Sequence, residues 1–205
     1  MAKTNEERPP YDLCGGHPAL DFVNSLNNRF RDSGPIELLR DYADLLRFAE
    51  QARLLDPRQA RRLAGTANPG AAARTLRSAR ELREALAAAL YASVAGHAPL
   101  ATDVRTLERY FHGASGHREL RWVQPGLEWD WGRFETSAEL PLWILSQSAS
   151  RLMMSDSTDQ IRACGAETCR WLFLDTSKNH TRRWCNMKVC GNRMKARRFQ
   201  ARHEG

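Results

Sequence analysis

At 205 residues, 42% hydrophobic and 27% charged, the chain has the composition of a soluble globular protein, and its length suits one main domain with a small appendage. No stretch approaches the roughly 18 uninterrupted apolar residues needed to cross a bilayer, and Met1 to Pro10 lacks the apolar core of a secretion signal, so a soluble cytoplasmic protein is expected. The net charge of +7 is lopsided: from Ile161 onward eleven Lys and Arg face only Glu167, Asp175 and Glu204, as a local footprint for phosphate would.

In chain order, Cys14 stands alone and reads as a small thiol without function. Gly15-Gly16-His17-Pro18 breaks the chain, and Ala19 to Leu26, mostly apolar, leans to helix. Asp32-Ser33-Gly34-Pro35 signals a turn and a helix start, after which Leu38, Tyr42, Leu45 and Ala49 share one helical face. Asp56 caps a short helix with Pro57 in its first turn. Ala71 to Val94 is the clearest helix: Leu82, Leu86, Leu90 and Val94 step by four, Leu76 and Ala79 extend the stripe, and Gly96 ends it. Leu100 to Phe111 continues as another helix. Glu119 to Val123 and Leu127 to Trp131 flank Gln124-Pro125-Gly126 as a hairpin. Leu140 to Met154 returns to helix, with Pro141 tolerable only in the first turn. Trp122, Trp129, Trp131, Trp143, Met153 and Met154 are expected to pack in the core. Ser155 to Thr158 is a polar joint, dividing residues 1–157 from 158–205.

The last 42 residues carry Cys164-x4-Cys169, fifteen intervening residues, then Cys185-x4-Cys190. Two thiol pairs at this spacing match the four soft ligands of one structural Zn²⁺, and in a reducing cytoplasm such thiols hold metal rather than form disulfides. A hairpin is expected after the first pair, with Arg170 to Leu174 and Arg183-Trp184 flanking Asp175 to His180 and His180 at its tip facing solvent. The second pair straddles a turn and the start of a helix, and Gly191 lets backbone approach the sulfurs. Hairpin knuckle plus helix N-terminus is a treble-clef arrangement. The fold class is therefore α+β: a mostly helical N-terminal domain with a small sheet, and a C-terminal treble-clef-like zinc module.

On a helix over 190–203, Ala196, Phe199 and His203 share the face expected to pack on the zinc module, with Lys195, Arg198 and Arg202 on one flank and Arg193 and Arg197 on the other. A metal-fixed platform presenting this cationic helix reads first as a binder of double-stranded DNA, phosphate contacts giving affinity and base edges specificity. The nucleic-acid-binding candidates are Arg182, Arg183, Asn192, Arg193, Lys195, Arg197, Arg198 and Arg202.

The same residues carry a family resemblance. Cys164-x4-Cys169, Trp171 to Asp175, Ser177-x-Asn179, Arg182-Arg183-Trp184-Cys185, Met187 and Cys190-Gly191-Asn192-Arg193-x-Lys195-Ala196-Arg197 resemble the CGNR zinc-finger family. Gly16-x-Pro18 to Leu26, followed by Tyr42 to Leu46, resembles its N-terminal companion, the ABATE domain. The resemblance implies a stress-related transcriptional regulator: a sensor-like, mostly helical domain joined to a zinc module that binds DNA. Asn192 and Arg193 match the signature, either as DNA contacts or as structural groups that cap the helix or pair with Asp175.

His17, Asp21, Asn24 and Arg29 are candidates to line a small-molecule pocket, although Asp21 as a cap and Asn24 as a buried structural group is the plainer reading. No phosphate-cradling glycine loop, nucleophile signature or His-x-Glu before a cysteine pair is present, and four thiolates leave zinc no position for a catalytic water, so no enzyme is expected. The expectation is a zinc-dependent DNA-binding regulator whose larger domain senses a small-molecule effector; the alternative is a zinc-stabilised RNA-binding or protein-interaction adaptor.

Overall fold

The computed structural model describes residues 8–203, apart from the side chains of Arg198, Arg202 and His203. Helix α1 (Pro18–Asn24) starts where the sequence places it: Pro18 fills the first turn and His17 Nδ1 accepts the Ala19 N–H at 3.2 Å. Strands β1 (Leu26–Asn27) and β2 (Ile36–Glu37) then pair antiparallel. Asp32 to Pro35 therefore makes only the turn between them, and the helix start expected there is wrong. The true cap of α2 (Tyr42–Gln51) is Asp41, whose carboxylate accepts the Asp44 N–H at 2.9 Å. Helix α3 (Pro57–Thr66) begins with the expected Asp56, reinforced by Gln59 as a capping box.

Helix α4 (Pro69–Val94) is the spine, with Leu76, Ala79, Leu82, Leu86 and Leu90 buried along one stripe, and Gly96 at φ +74° closes the turn that follows. It packs against α5 (Ala101–Ser115) and α6 (Leu140–Met153), the latter with Pro141 harmlessly in its first turn. The main core gathers Leu20 and Phe22 of α1, Phe48 of α2, the α4 stripe, and Leu145 and Leu152 of α6. Each fully buried Leu or Phe contributes about 1.5–3 kcal/mol.

Between α5 and α6, β3 (Glu119–Val123) and β4 (Gly126–Asp130) form the expected hairpin, but its aromatic residues are not in the core. Leu120 pairs with Trp129 and Trp122 with Leu127, which sets all four on one face, and all four are more than half exposed. Met154 is exposed too; of the large residues assigned to the core, Trp143 is buried and Trp131 and Met153 are partly so. The sequence pattern specified the alternation, but no third strand or helix lies over that face among the described residues.

Strand β5 (Ile161–Ala163) pairs antiparallel with β6 (Leu172–Leu174), so the hairpin brackets the first cysteine pair instead of following it. Residues 183–184 are not its second strand, because β5 already occupies that edge. The opposite edge of β6 is held by the N-terminal part of the chain. Asn24 Nδ2 donates to the Leu172 carbonyl at 2.9 Å and Asn24 Oδ1 accepts the Leu172 N–H at 3.0 Å. One side chain thus stands in for a neighbouring strand. Two residues on, the Leu174 N–H donates to the Gly15 carbonyl at 2.8 Å. Ile161, Leu172 and Leu174 complete the main core, so packing runs without a break from the helices into the cysteine segment. The last described element is α7 (Asn192–His203), entered through a single π turn, Met187–Gly191.

Candidate metal centre and the basic helix

Cys164, Cys169, Cys185 and Cys190 are buried, with their sulfurs all within 4.8 Å of one another. Cys169 to Cys185 is 3.6 Å and Cys185 to Cys190 is 3.7 Å. A tetrahedron of sulfurs with Zn–S bonds of about 2.3 Å has edges of about 3.8 Å, whereas a disulfide would need about 2.05 Å, so the spacing fits one Zn²⁺ and no bridge. The charges agree. Without a cation, hydrogen bonds from Cys169 and Cys185 hold the Cys164 thiol well below the usual thiol range, and Cys169 is pushed up in return. Contacts with Cys14 and Cys164 push Cys185 up as well. A divalent ion removes that conflict by accepting all four as thiolates.

Local structure delivers the ligands. The β5–β6 turn presents Cys164, whose N–H reaches the Trp171 carbonyl at 2.8 Å, and Cys169, whose N–H reaches Ala166 at 2.8 Å. At the other pair, Asn186 caps the π turn, accepting the Lys188 and Val189 N–H groups at 2.9 and 3.3 Å, which lifts Cys190 into place. Asp175 organises the intervening loop: its carboxylate accepts from the Ser177 hydroxyl at 2.5 Å and the Arg182 N–H at 2.9 Å, which holds its pKa below the usual carboxylate range. His180, exposed as expected, is no ligand; its Nδ1 lies 3.0 Å from the Asp175 carbonyl. Gly191 makes room for groups other than those expected: a Cβ there would overlap the Met187 sulfur and crowd the Trp184 ring, and no cysteine is among its nearest neighbours.

The basic candidates separate into two groups. Arg182 is spent on the metal loop: Nε donates to the Trp184 carbonyl at 2.9 Å, Nη2 to the Cys185 carbonyl, and the guanidinium lies over the Phe173 ring. Arg193 Nη2 donates to the Cys190 sulfur at 3.3 Å, offsetting charge on the centre. Asn192 Nδ2 donates to the Lys188 carbonyl at 3.1 Å, and neither residue pairs with Asp175. Arg183, Lys195 and Arg197 are exposed, while the side chains of Arg198 and Arg202 lie outside the described residues. Of the face of α7 expected to pack on the module, Ala196 and Phe199 are exposed, and Met194 packs on the cysteine cluster.

The proposed ligand-pocket residues are not brought together around a cavity. His17 caps α1, and burial lowers its pKa. Asp21 accepts the Gly15 N–H at 2.7 Å, and burial pushes its carboxyl up to about 7. Asn24 clamps β6, and Arg29 pairs with Glu84. A cavity of about 530 Å³ lies elsewhere, between the N-terminal segment and the cysteine module, with Tyr11, Arg31, Ile36, Trp171, Val189 and Arg193 in its walls. Sequence reasoning missed Asn186, Arg182 and Asp175 as organisers. Asn immediately before a helical run and Asp-x-Ser are cap and turn signals that could have found the first and last; nothing local marks Arg182.

No helix among the described residues is long and apolar enough to cross a membrane. Comparison with curated proteins finds no match. Two family profiles match instead: the CGNR zinc finger over residues 160–203, and ABATE, described as "Putative stress-induced transcription regulator", over residues 16–156. With most of its length under the second profile and the four-cysteine centre under the first, the chain belongs to the ABATE family and ends in a CGNR zinc finger that holds one structural zinc ion.

Proposed function

We propose that the protein is a zinc-dependent, cytoplasmic, non-catalytic regulator that binds double-stranded DNA through α7 and Arg183, with a treble-clef-like finger as the platform. The observation that carries this reading is the distribution of paired charge. Every salt bridge among the described residues lies between Arg8 and Arg133, whereas Arg183, Lys188, Lys195 and Arg197 form none. Cations left unneutralised on a metal-fixed helix suit the phosphate backbone. Arg182, Asn192 and Arg193 serve the metal loop and the helix start. The cavity between the N-terminal segment and the finger supports effector sensing, since a ligand there would touch both.

The test replaces Lys195, Arg197, Arg198 and Arg202 by Gln in the zinc-loaded chain and follows duplex binding against salt. Each lost phosphate contact flattens the slope of log K against log salt by about 0.9, so four contacts flatten it by about 3.6. Unchanged affinity and slope, at full zinc content, refute the reading. The exposed Leu120, Trp122, Leu127 and Trp129 face favours the adaptor reading, which predicts unchanged duplex behaviour and loss of a protein complex when Trp122 is replaced.

A further inference from the structure

Four buried side-chain nitrogen or oxygen atoms lack a hydrogen-bond partner among the described residues. Three of them, Arg47 Nε, Trp171 Nε1 and Arg193 Nε, belong to residues lining the cavity between the N-terminal segment and the cysteine module. All three are donors, and buried donors are seldom left unpaired in a native fold. Other contacts hold each of these side chains in place. The Arg47 guanidinium lies over the Tyr11 ring, 4.5 Å from its centroid, and Nη1 donates to the Pro9 carbonyl at 2.6 Å. Arg193 Nη2 is taken by the Cys190 sulfur, and Trp171 packs on the cysteine cluster. Arg31, also in the wall, forms no salt bridge among the described residues. Most of the lining surface is apolar, and Ile36 and Val189 within it are about half exposed, at 48% and 52%.

We propose that this cavity binds a singly charged organic carboxylate with an apolar body, which rests on the reading that an effector is sensed there. The missing partners are acceptors, so the ligand supplies oxygen atoms. Two of the three donors belong to guanidinium groups and Arg31 is unbridged, which favours an anion, since charge-assisted bonds are roughly twice as strong as neutral ones. Glu37 of the wall is already held by Arg83 at 2.7 and 2.6 Å, which leaves Arg31 and Arg193 to the ligand. A phosphate dianion suits the site less. Asp12 is in the wall, and so are Cys169, Cys185 and Cys190, whose thiolates exceed the charge of one zinc ion, so each further negative charge on the ligand adds repulsion. The apolar body covers Ile36, Val189 and the Trp171 ring. The volume of about 530 Å³ lies within the range of small-molecule sites, about 300–1,000 Å³. Arg47 belongs to α2 and Arg193 to α7, so a bound acid bridges the helical part and the finger.

The experiment titrates the zinc-loaded full chain, labelled with ¹³C and ¹⁵N, with benzoate, phenylacetate, 2-naphthoate and octanoate, each beside its primary amide. NMR follows the indole N–H of Trp171 and the Nε–H of Arg47 and Arg193, assigned on the parent chain. The expected result is that at least one acid shifts all three signals saturably and binds tighter than its amide by about tenfold or more. The proposal is overturned if no acid in the series binds, if every amide binds to within about tenfold of its acid, or if the acids bind without moving those three signals. No DNA is present in the titration, so its outcome does not depend on whether α7 binds a duplex. An acid that meets the expectation yet leaves duplex affinity unchanged supports the site and counts against sensing alone.

Discussion

Replacing Asn24 by Ala tests how the two parts of the molecule are joined. Asn24 is buried, and its amide satisfies both the N–H and the carbonyl of Leu172 at 3.0 and 2.9 Å. Those two groups point away from β5, and no other bonds to them are found among the described residues. The Ala variant leaves both without partners in a dry setting, at about 1–3 kcal/mol each, so the loss is about 2–6 kcal/mol and centred near 4. Against a typical total of about 5–15 kcal/mol this is large. Urea unfolding followed by tryptophan fluorescence measures it, with an unchanged m-value as the sign that the unfolded state is unaltered. Asn24→Asp adds a signature: its carboxylate would face the Leu172 carbonyl, so its deficit shrinks as pH falls and the acid can donate. A loss below about 1 kcal/mol for Asn24→Ala would refute the clamp and return the residue to the pocket reading.

Other outcomes follow from the same geometry. Stripping zinc with a chelator unfolds the cysteine segment and also removes amide protection from β5 and β6 and weakens the helical core, because Ile161, Leu172 and Leu174 belong to both; hydrogen exchange that changes only beyond residue 175 would contradict this. Asp21 has a folded pKa raised to about 7 by burial, so the stability it contributes is complete below the ordinary carboxylate range and is lost as pH rises toward 7. Asp21→Asn keeps an acceptor for Gly15 and should abolish that part of the pH dependence in thermal unfolding. Arg182→Ala should weaken zinc binding about 10–100-fold in a chelator competition while leaving the ligands intact, the range for residues that position metal ligands.

The helices were legible in the sequence because their signals are local: a stripe at every fourth residue in α4, Asp56 before Pro57, Pro141 confined to a first turn. The zinc ligands were legible because four thiols at that spacing have few other uses. What depended on distant partners was not. The pattern of β6 is the same whether its neighbour is β5 or residues 183–184, and only the fold decides. Trp122 and Trp129 look like core residues because composition reports hydrophobicity, not the presence of something to cover it. Arg182 and Arg197 are identical in sequence terms, yet one holds carbonyls of the metal loop and the other faces solvent. Asn24 read correctly as a buried polar group, but its partner stands 148 residues away.

That long-range clamp also limits how freely the finger can be exchanged. A segment cut out at residue 160 would leave behind the amide that completes β6 and the glycine carbonyl beside it, and would turn Leu172 and Leu174 outward to water. Grafting this zinc module onto another protein therefore means grafting α1 with it. Any change to the surface that α7 presents is then made by exchanging its side chains in place, not by shuffling whole modules.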